Sequence, residues 1–411
     1  MLKNYFKIAI AVLKRRKFFT FISLFGISFT LTILMVVTAL VDKMISPDYP
    51  DYKRDRSLYI ERIEIKNSKE GWMNSSNVSV YFLEHNVATL KNLQKMGITS
   101  SAKASNAYVN NKKLVINYQY TNADYWNVLE YKFLEGKAFS QKEIDNAELV
   151  AVISEETRKA YFGDEKSVVG QYISADNINY RVIGVVENVS ETVRNFSGDM
   201  YLPYSLSKDN HDNNQNIMGS YNAILLAKSK ADIPKLKKEF DQMIKKVPIP
   251  KDFDKLYCNA DPFFTSISRR IGGNSTNGAV AKVITMAGGF VLLFLLLPTI
   301  NLVNINITRI MERSSEIGVR KAFGASSKTL VYQFIVENMI LTFLGGFIGV
   351  MLSLLVIALI NETNFVSNIK LTMNFSVLCY SFLACVFFGL ISGVYPAWRM
   401  SKLNVVKALK A

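Results

Sequence analysis

Four long apolar stretches constrain the fold of this 411-residue chain more than any other feature. They cover residues 18–41, 283–305, 339–360 and 375–395, and none contains an acidic or basic side chain. About 20 residues of helix, at about 1.5 Å per residue, match the bilayer's hydrocarbon core of about 30 Å. The sequence therefore predicts four transmembrane helices, the third of them extended to 329–360.

The charge distribution indicates which side of the membrane each piece occupies. Residues 1–17, 304–330 and 396–411 together carry +13 of the chain's formal net charge of +15. By the positive-inside rule these pieces face the cytoplasm, so both termini are expected inside. The nearly neutral residues 42–282 must then lie outside, with 361–374 as a short external loop. The basic excess reflects topology, and nucleic acid is not an expected partner.

The first 17 residues have the pattern of an amphipathic helix. Leu2, Phe6, Ile10 and Leu13 fall on one helical face and the lysines fall elsewhere. Such a helix is suited to lying on the inner surface of the membrane, in contact with lipid. A plain cytosolic tail is the alternative.

Segments with strand and helix patterns alternate in the external region, after Pro47 and Pro50 break the first helix. "YISA" and "YRVIGVV", joined by "DNIN", predict a hairpin, and "DIPKLKKEFDQMIKKV" predicts an amphipathic helix. "YFLEHNVATLKNLQKMG" predicts a short helix that ends at Gly97. The predicted fold class is an α-helical membrane protein with four spans and a large α+β domain inserted between spans 1 and 2.

Motifs for catalysis and cofactor binding are missing from the sequence. It contains no GxxxxGK[ST] phosphate loop and no GxSxG elbow. The two histidines, His85 and His211, are far apart and lack partners at metal-ligand spacing. We therefore predict no catalytic residue, no metal site and no cofactor bound by this chain.

Small residues in the apolar stretches predict close helix packing. Gly345 and Gly349, and likewise Gly389 and Gly393, form GxxxG pairs that allow two helices to approach closely. The pattern leaves open whether these pairs pack helices within one subunit or between two. Pro298 in the second span removes one backbone hydrogen bond and predicts a bend.

Glu337 lies one turn before the uninterrupted apolar run of the third span. A carboxylate at that depth can reach the headgroups or pair with a basic residue. A role in transmitting movement is the alternative that the sequence leaves open.

The cytoplasmic segment 306–328 has features that a solvated turn does not need. Glu316 and Arg320 are four residues apart in the order that stabilises a helix, and Gly324 is a candidate C-cap. An apolar strip on the same helix is formed by Val319, Ala322 and Phe323. This strip predicts docking on a cytoplasmic partner.

Three motifs in order resemble those of one family. "ERSSEIGVRKAFGA" (312–325) is similar to the ER-x-x-E-I-G-[IV]-R-[KR]-A-x-G-A segment of FtsX-like ABC transporter permeases, and "GVYPAWRMSKLNVVKALK" (393–410) resembles their closing tail. Residues 135–189 resemble the periplasmic core domain of the macrolide-exporter (MacB) branch. The exporter that names the branch carries its ATPase in the same polypeptide, whereas this chain has no nucleotide motif.

The resemblance implies a permease of the inner membrane whose large domain is periplasmic. A porter lobe would comprise about 43–137 and 218–280, and a Sabre-like lobe about 138–217. This chain would form a dimer with a second copy of itself or with a paralogue. Two copies of a separate ATPase, which binds ATP and Mg, would drive that dimer. The ATPase-coupling residues that the resemblance implies are Glu312, Arg313, Glu316, Ile317, Gly318, Arg320, Lys321, Phe323 and Gly324.

The function that the resemblance implies is mechanotransmission, in which ATP-driven movement of the membrane helices performs periplasmic work. Export of a peptide, antibiotic or lipid-like substrate is the leading expectation, with a periplasmic adaptor and an outer-membrane channel as further partners. Release of lipoproteins from the inner membrane is one alternative. Regulation of periplasmic cell-wall hydrolases without transport is another.

Overall fold

A computed structural model of the chain describes residues 10–11, 13–15, 17–109, 112–189, 198–208, 216–272, 276–311, 319, 323, 326–363, 371–373 and scattered positions between 375 and 394. These residues fall into two compact units. The external unit consists mainly of Met44–Val283, and the membrane unit holds the residues up to Lys43 and most of those from Ile284 onwards.

Nine helices of four or more residues lie in the described part of the chain. They are α1 (Lys17–Ile45), α2 (Val80–His85), α3 (Tyr125–Val128), α4 (Gln141–Asp145), α5 (Glu155–Phe162), α6 (Ile233–Ile244), α7 (Phe263–Gly272), α8 (Thr276–Met311) and α9 (Ser327–Thr363). The strands are β1 (Ser57–Ile60), β2 (Ile63–Lys66), β3 (Met73–Val78), β4 (Leu93–Ser100), β5 (Lys103–Val109), β6 (Lys112–Thr121), β7 (Phe133–Gly136), β8 (Val150–Ser154), β9 (Tyr172–Ala175), β10 (Ile178–Val186), β11 (Met200–Pro203), β12 (Met218–Gly219), β13 (Tyr221–Ala227) and β14 (Lys255–Cys258).

Two of the described helices are long and apolar enough to cross a bilayer, judged by length and composition. They are Lys17–Ile45 and, within α9, Val331–Thr363, with mean hydropathies of 2.4 and 2.7. Helix α8 contains a shorter apolar part, Gly278–Leu293. Because the fourth predicted span lies largely outside the described residues, the count of four spans stays a prediction.

The strands of the external unit form one mixed sheet. Its order is β14-β2-β3-β13-β4-β6-β11-β8-β10-β7, with β1 also paired to β13, β12 to β3, β5 to β6 and β9 to β10. The pairs β10–β8 and β11–β6 are parallel, and the other pairs are antiparallel. The sheet thus continues through the segments for which two separate lobes are predicted.

Apolar side chains cover both faces of the sheet, as strand β8 illustrates. Val150 and Val152 belong to one buried cluster, whereas Ala151 and Ile153 belong to another. Alternate residues of a strand point to opposite faces, so the two clusters lie on the two faces. The external unit is therefore an α+β fold with a core on each side of one sheet.

Local sequence accounts for several elements of the external unit. The predicted hairpin is present as β9 and β10, and its turn residues Asp176 and Asn177 have φ values of 51° and 63°. Both are residue types that tolerate the left-handed conformation that a two-residue hairpin turn requires. The predicted amphipathic helix is α6.

The prediction that a helix ends at Gly97 is wrong. Helix α2 ends at His85, and Gly97 lies within strand β4, opposite Ile224 of β13. A Cβ atom at Gly97 would lie 3.3 Å from Cα of Tyr125, because helix α3 packs closely on the strand at this point. Pairing with β13 and packing against α3 therefore override the local helical pattern.

Candidate functional site

The predicted ATPase-coupling segment lies almost entirely outside the described residues. Of its predicted site residues, Glu312, Arg313, Glu316, Ile317, Gly318, Arg320, Lys321 and Gly324 are not described. The Phe323 amide donates to the carbonyl of Val319 at 3.0 Å, which is the spacing of one helical turn. The Phe323 side chain is 88% exposed in this chain.

The first predicted glycine pair lies where α9 meets α1 in the membrane unit. A Cβ atom at Gly345 would come within 2.8 Å of Ile27, and one at Gly349 within 2.9 Å of the Ser28 carbonyl oxygen. The Thr32 hydroxyl, on α1, donates to the Gly349 carbonyl at 3.2 Å. Only residues without a side chain permit this separation of the two helices. Gly389 and Gly393 lie outside the described residues.

Two further predicted residues lie inside the long helices. Pro298 falls within α8, which the structure describes as one continuous helix from Thr276 to Met311. Glu337 lies within α9 and is 1% exposed, and the neighbouring Gln333 is 6% exposed. A carboxylate buried in this way requires interactions with other groups of the protein.

The most concentrated buried charge in the described residues lies where the chain enters and leaves the external unit. Arg54, which is 5% exposed, donates from Nη1 to the carbonyl oxygens of Ile45 at 3.1 Å and Ser46 at 2.6 Å. These carbonyls belong to the C-terminal end of α1, where unpaired carbonyls and the helix dipole favour a cation. The same guanidinium lies 3.8 Å from the ring centroid of Phe263, the first residue of α7.

Asp51 and Tyr59 hold that arginine in place. Asp51 is fully buried, and its Oδ2 accepts from Arg54 Nε at 2.8 Å and from the Tyr59 hydroxyl at 2.5 Å. Burial raises the pKa of the Asp51 carboxyl, and its two partners oppose that rise. Burial and the charge of Asp51 together keep the pKa of Tyr59 well above its usual range.

A second buried carboxylate, Asp261, connects the same strand to α7. Its backbone exchanges two hydrogen bonds with Tyr59 of β1, at 2.8 and 3.1 Å. The residue as a whole is 1% exposed. Its carboxylate accepts from Lys237 Nζ at 2.7 Å and from Arg269 Nε. We call Asp51, Arg54, Tyr59, Asp261, Phe263 and Arg269 the junction cluster.

The contacts continue from α7 to the beginning of α8. Arg270 of α7 donates from Nε to Glu61 at 2.7 Å, and these residues are 209 positions apart. A Cβ atom at Gly272 would lie 2.6 Å from Cα of Ala279, which is fully buried in α8. A chain of close contacts thus connects the end of α1, strand β1, helix α7 and the beginning of α8.

This arrangement is suited to passing on displacement. Buried ion pairs with several hydrogen bonds have few alternative geometries, and removing one partner costs about 3–5 kcal/mol. These contacts hold the end of α1 and helix α7 against β1. The junction cluster was not predicted from the sequence, since Asp51 and Asp261 lie far apart in it and neither belongs to a motif. The one local indication of the cluster is the charged run "DYKRDR" (51–56) that follows Pro50.

Two family profiles match consecutive parts of the chain. The profile of the MacB-like periplasmic core domain matches residues 20–243, and that of the FtsX-like permease C-terminal domain matches residues 288–405. A Bacillus subtilis protein named as an uncharacterised ABC transporter permease, YknZ, is 24% identical over 80% of this chain and 79% of its own length. The structure of the periplasmic region of MacB from Actinobacillus actinomycetemcomitans aligns with 54% of this chain and 94% of its own, at 18% identity and a TM-score of 0.37.

The macrolide export ATP-binding/permease protein MacB of Pasteurella multocida is 27% identical over 69% of this chain. The alignment spans 41% of that protein's length, so this chain matches less than half of it. The periplasmic core profile alone covers more than half of the present sequence, and the permease profile follows it in the order that the motifs predict. The chain therefore belongs to the MacB-like family of ABC transporter permeases, with a MacB-like periplasmic core domain and an FtsX-like C-terminal domain.

Proposed function

We propose that this chain is the permease subunit of a mechanotransmission (type VII) ABC transporter, and that it couples ATP hydrolysis on a separate ATPase to work by the external unit. Export of a peptide, antibiotic or lipid-like substrate is the work we favour. Family membership supports the proposal, as do the names of two relatives, one an ABC transporter permease and the other a macrolide exporter.

The observation that carries the proposal is the junction cluster. Arg54 contacts both the end of α1 and the beginning of α7, so a single buried side chain links the two connections of the external unit. Asp261 then fixes α7 to β1, which lies in the sheet beside β13. A domain that only bound a partner would not need buried charge at both connections. Transmission of force would use it.

The remaining parts of the assembly follow from this role. Phe323 and the rest of 312–324 would dock on the ATPase, which would bind ATP and Mg. Two ATPase copies would act on a dimer of permeases, each in the inner membrane with its termini in the cytoplasm. A periplasmic adaptor and an outer-membrane channel would receive the substrate.

The test measures amide hydrogen exchange in the full chain, purified in nanodiscs with the ATPase that copurifies with it. ATP with orthovanadate, which arrests hydrolysis, should change exchange in α7 and β1. Phe323→Asp combined with Arg320→Glu should remove the ATPase from the complex. Absence of a copurifying ATPase, or an unchanged α7 after nucleotide trapping, would contradict the proposal.

A charge-neutral pair of substitutions tests the junction cluster itself. Asp51→Asn with Arg54→Met should retain the ATPase but lose the nucleotide-dependent change in α7. The matched control is Glu135→Gln with Arg158→Met, which removes a partly buried ion pair of 3.0 Å between β7 and α5. The control should respond to nucleotide as the unmodified protein does. Equal loss in both variants would assign the effect to general destabilisation.

A further inference from the structure

A polar cleft of about 810 Å³ opens beside the junction cluster, within the external unit. It forms where the chain bends at Glu61 and Arg62, between β1, which pairs with β13, and β2, which pairs with β3 and β14. Strands β4 and β6 pair only at Thr99 and Thr121, so the sheet separates there as well. Its volume is within the range of sites for small ligands, about 300–1,000 Å³.

Most residues in the wall of the cleft are polar. Serine and asparagine side chains supply most of it, among them Ser75, Ser101, Asn77 and Asn222. Asn77 Nδ2 donates to Asn222 Oδ1 at 2.8 Å and to Ser101 Oγ at 3.2 Å, which fixes the orientation of these groups. Of the residues described in the wall, only Ala102 is apolar. Sites for drug-like or acyl ligands have mostly apolar walls, so this cleft favours a hydrophilic ligand.

Two guanidinium groups give the cleft a preference in charge. The side chains of Arg62 and Arg270 are 57% and 51% exposed. Their carboxylate partners, Glu64 and Glu61, are 7% and 12% exposed. Glu61 also lines the cleft and Glu64 does not, so the charged residues of the wall are two positive and one negative. Guanidinium groups bind carboxylates in paired, charge-assisted hydrogen bonds.

We propose that the polar cleft binds short hydrophilic peptides through their C-terminal carboxylate. Arg62 and Arg270 hold the carboxylate, and the serine and asparagine side chains exchange hydrogen bonds with the peptide amides. A peptide backbone offers both donors and acceptors, which serine hydroxyls and asparagine amides can match, and no aromatic platform for a sugar ring is among the described residues of the wall. This inference rests on the proposed function and specifies a peptide as the class of substrate.

The test uses two equimolar libraries of pentapeptides built from Ser, Thr, Asn, Gln, Gly and Ala, one with free C-terminal carboxylates and one amidated. Each is incubated with the full chain in nanodiscs without an ATPase, and the retained peptides are quantified by mass spectrometry. The protein should retain the acid library at least about tenfold more than the amidated one, since hydrogen bonds to a charged group distinguish the two.

Variants separate the cleft from the rest of the surface. Arg62→Gln with Arg270→Gln should abolish the preference for the acid library, and Ser101→Leu should reduce retention by filling the cleft while leaving both ion pairs in place. Arg181→Gln is the matched control, because it removes an exposed arginine, paired with Glu148, from β10. It should retain peptides as the unmodified protein does.

Equal retention of both libraries by the unmodified protein would overturn the proposal. Retention that persists unchanged in Ser101→Leu would overturn it as well. Because no ATPase is present, a negative result leaves the coupling experiment unaffected. Conversely, a permease that binds no ATPase can still retain the acid library. The two experiments can therefore contradict the coupling proposal and the peptide proposal independently.

Discussion

Replacing Arg54 with Met should destabilise the external unit strongly, and the structure indicates by how much. The substitution leaves the fully buried Asp51 without its cation, at a cost of about 3–5 kcal/mol. The contact with the Phe263 ring contributes about a further 0.5–2 kcal/mol. Asp51→Asn alone should cost a similar amount, because it leaves a buried guanidinium without its carboxylate.

The double substitution should cost less than the sum of the two single ones. Asp51→Asn with Arg54→Met removes both charges of this pair, so neither is left buried without its partner, and an amide oxygen at position 51 can still accept from the Tyr59 hydroxyl. Only the contacts of Arg54 with the end of α1 and with Phe263 are then lost. We expect a coupling energy of about 2–3 kcal/mol between the two sites, at the upper end of values for residues in contact.

Guanidinium chloride unfolding of the full chain in detergent micelles measures these free energies. Trp126 reports on the external unit, since its ring lies 5.4 Å from that of Tyr201 in the core. Trp398 is replaced by Phe in every variant to remove the signal of the C-terminal region. If the two single effects add to the double effect within about 0.5 kcal/mol, the residues act independently and the reasoning is refuted.

Two further predictions concern packing and capping. Gly349→Ala should destabilise the membrane unit by about 1–3 kcal/mol, because the added methyl group would lie 2.9 Å from the Ser28 carbonyl oxygen. Thermal unfolding measures the effect, and Gly26→Ala is the control because the space around Gly26 is open. Ser140→Ala should cost about 1 kcal/mol at neutral pH. Hydrogen bonds from Ser140 lower the pKa of Glu143 below its usual 4.5. They therefore add to the stability of the fold above pH 4.5, and this stability is lost as the pH falls through the lowered pKa of Glu143. A loss that stays constant in pH titrations of stability would contradict this explanation.

Elements with strong local patterns could be predicted from the sequence. The apolar stretch 18–41 corresponds to α1, and the third stretch lies within α9. The hairpin at Asp176 was predictable because its turn requires residue types that the sequence supplies there. The prediction at Gly97 was wrong because the sequence does not distinguish a glycine that ends a helix from one that allows a helix to pack on a strand.

The junction cluster and the polar cleft could not be predicted in this way. Both depend on pairs that only the fold brings together, such as Glu61 with Arg270, 209 positions away. A single sequence records no contact between them, and each residue alone resembles an ordinary surface charge. The burial of Asp51 and Asp261 likewise follows from the topology of the sheet.

The ion pair between Arg270 and Glu61 connects helix α7 to the wall of the polar cleft. Arg270 lies on α7, contacts Glu61 in the junction region and lines the polar cleft. A carboxylate bound in the cleft would compete with Glu61 for that guanidinium and so alter how α7 is held. Under the two proposals, nucleotide bound by the ATPase and peptide bound in the cleft would both act on α7. Coupling between two binding sites is reciprocal, so nucleotide would change the affinity for peptide by the same factor by which peptide changes the affinity for nucleotide. On this proposal the cleft would bind its ligand tightly in one nucleotide state and weakly in the other, and the ligand would not need to pass between the membrane helices.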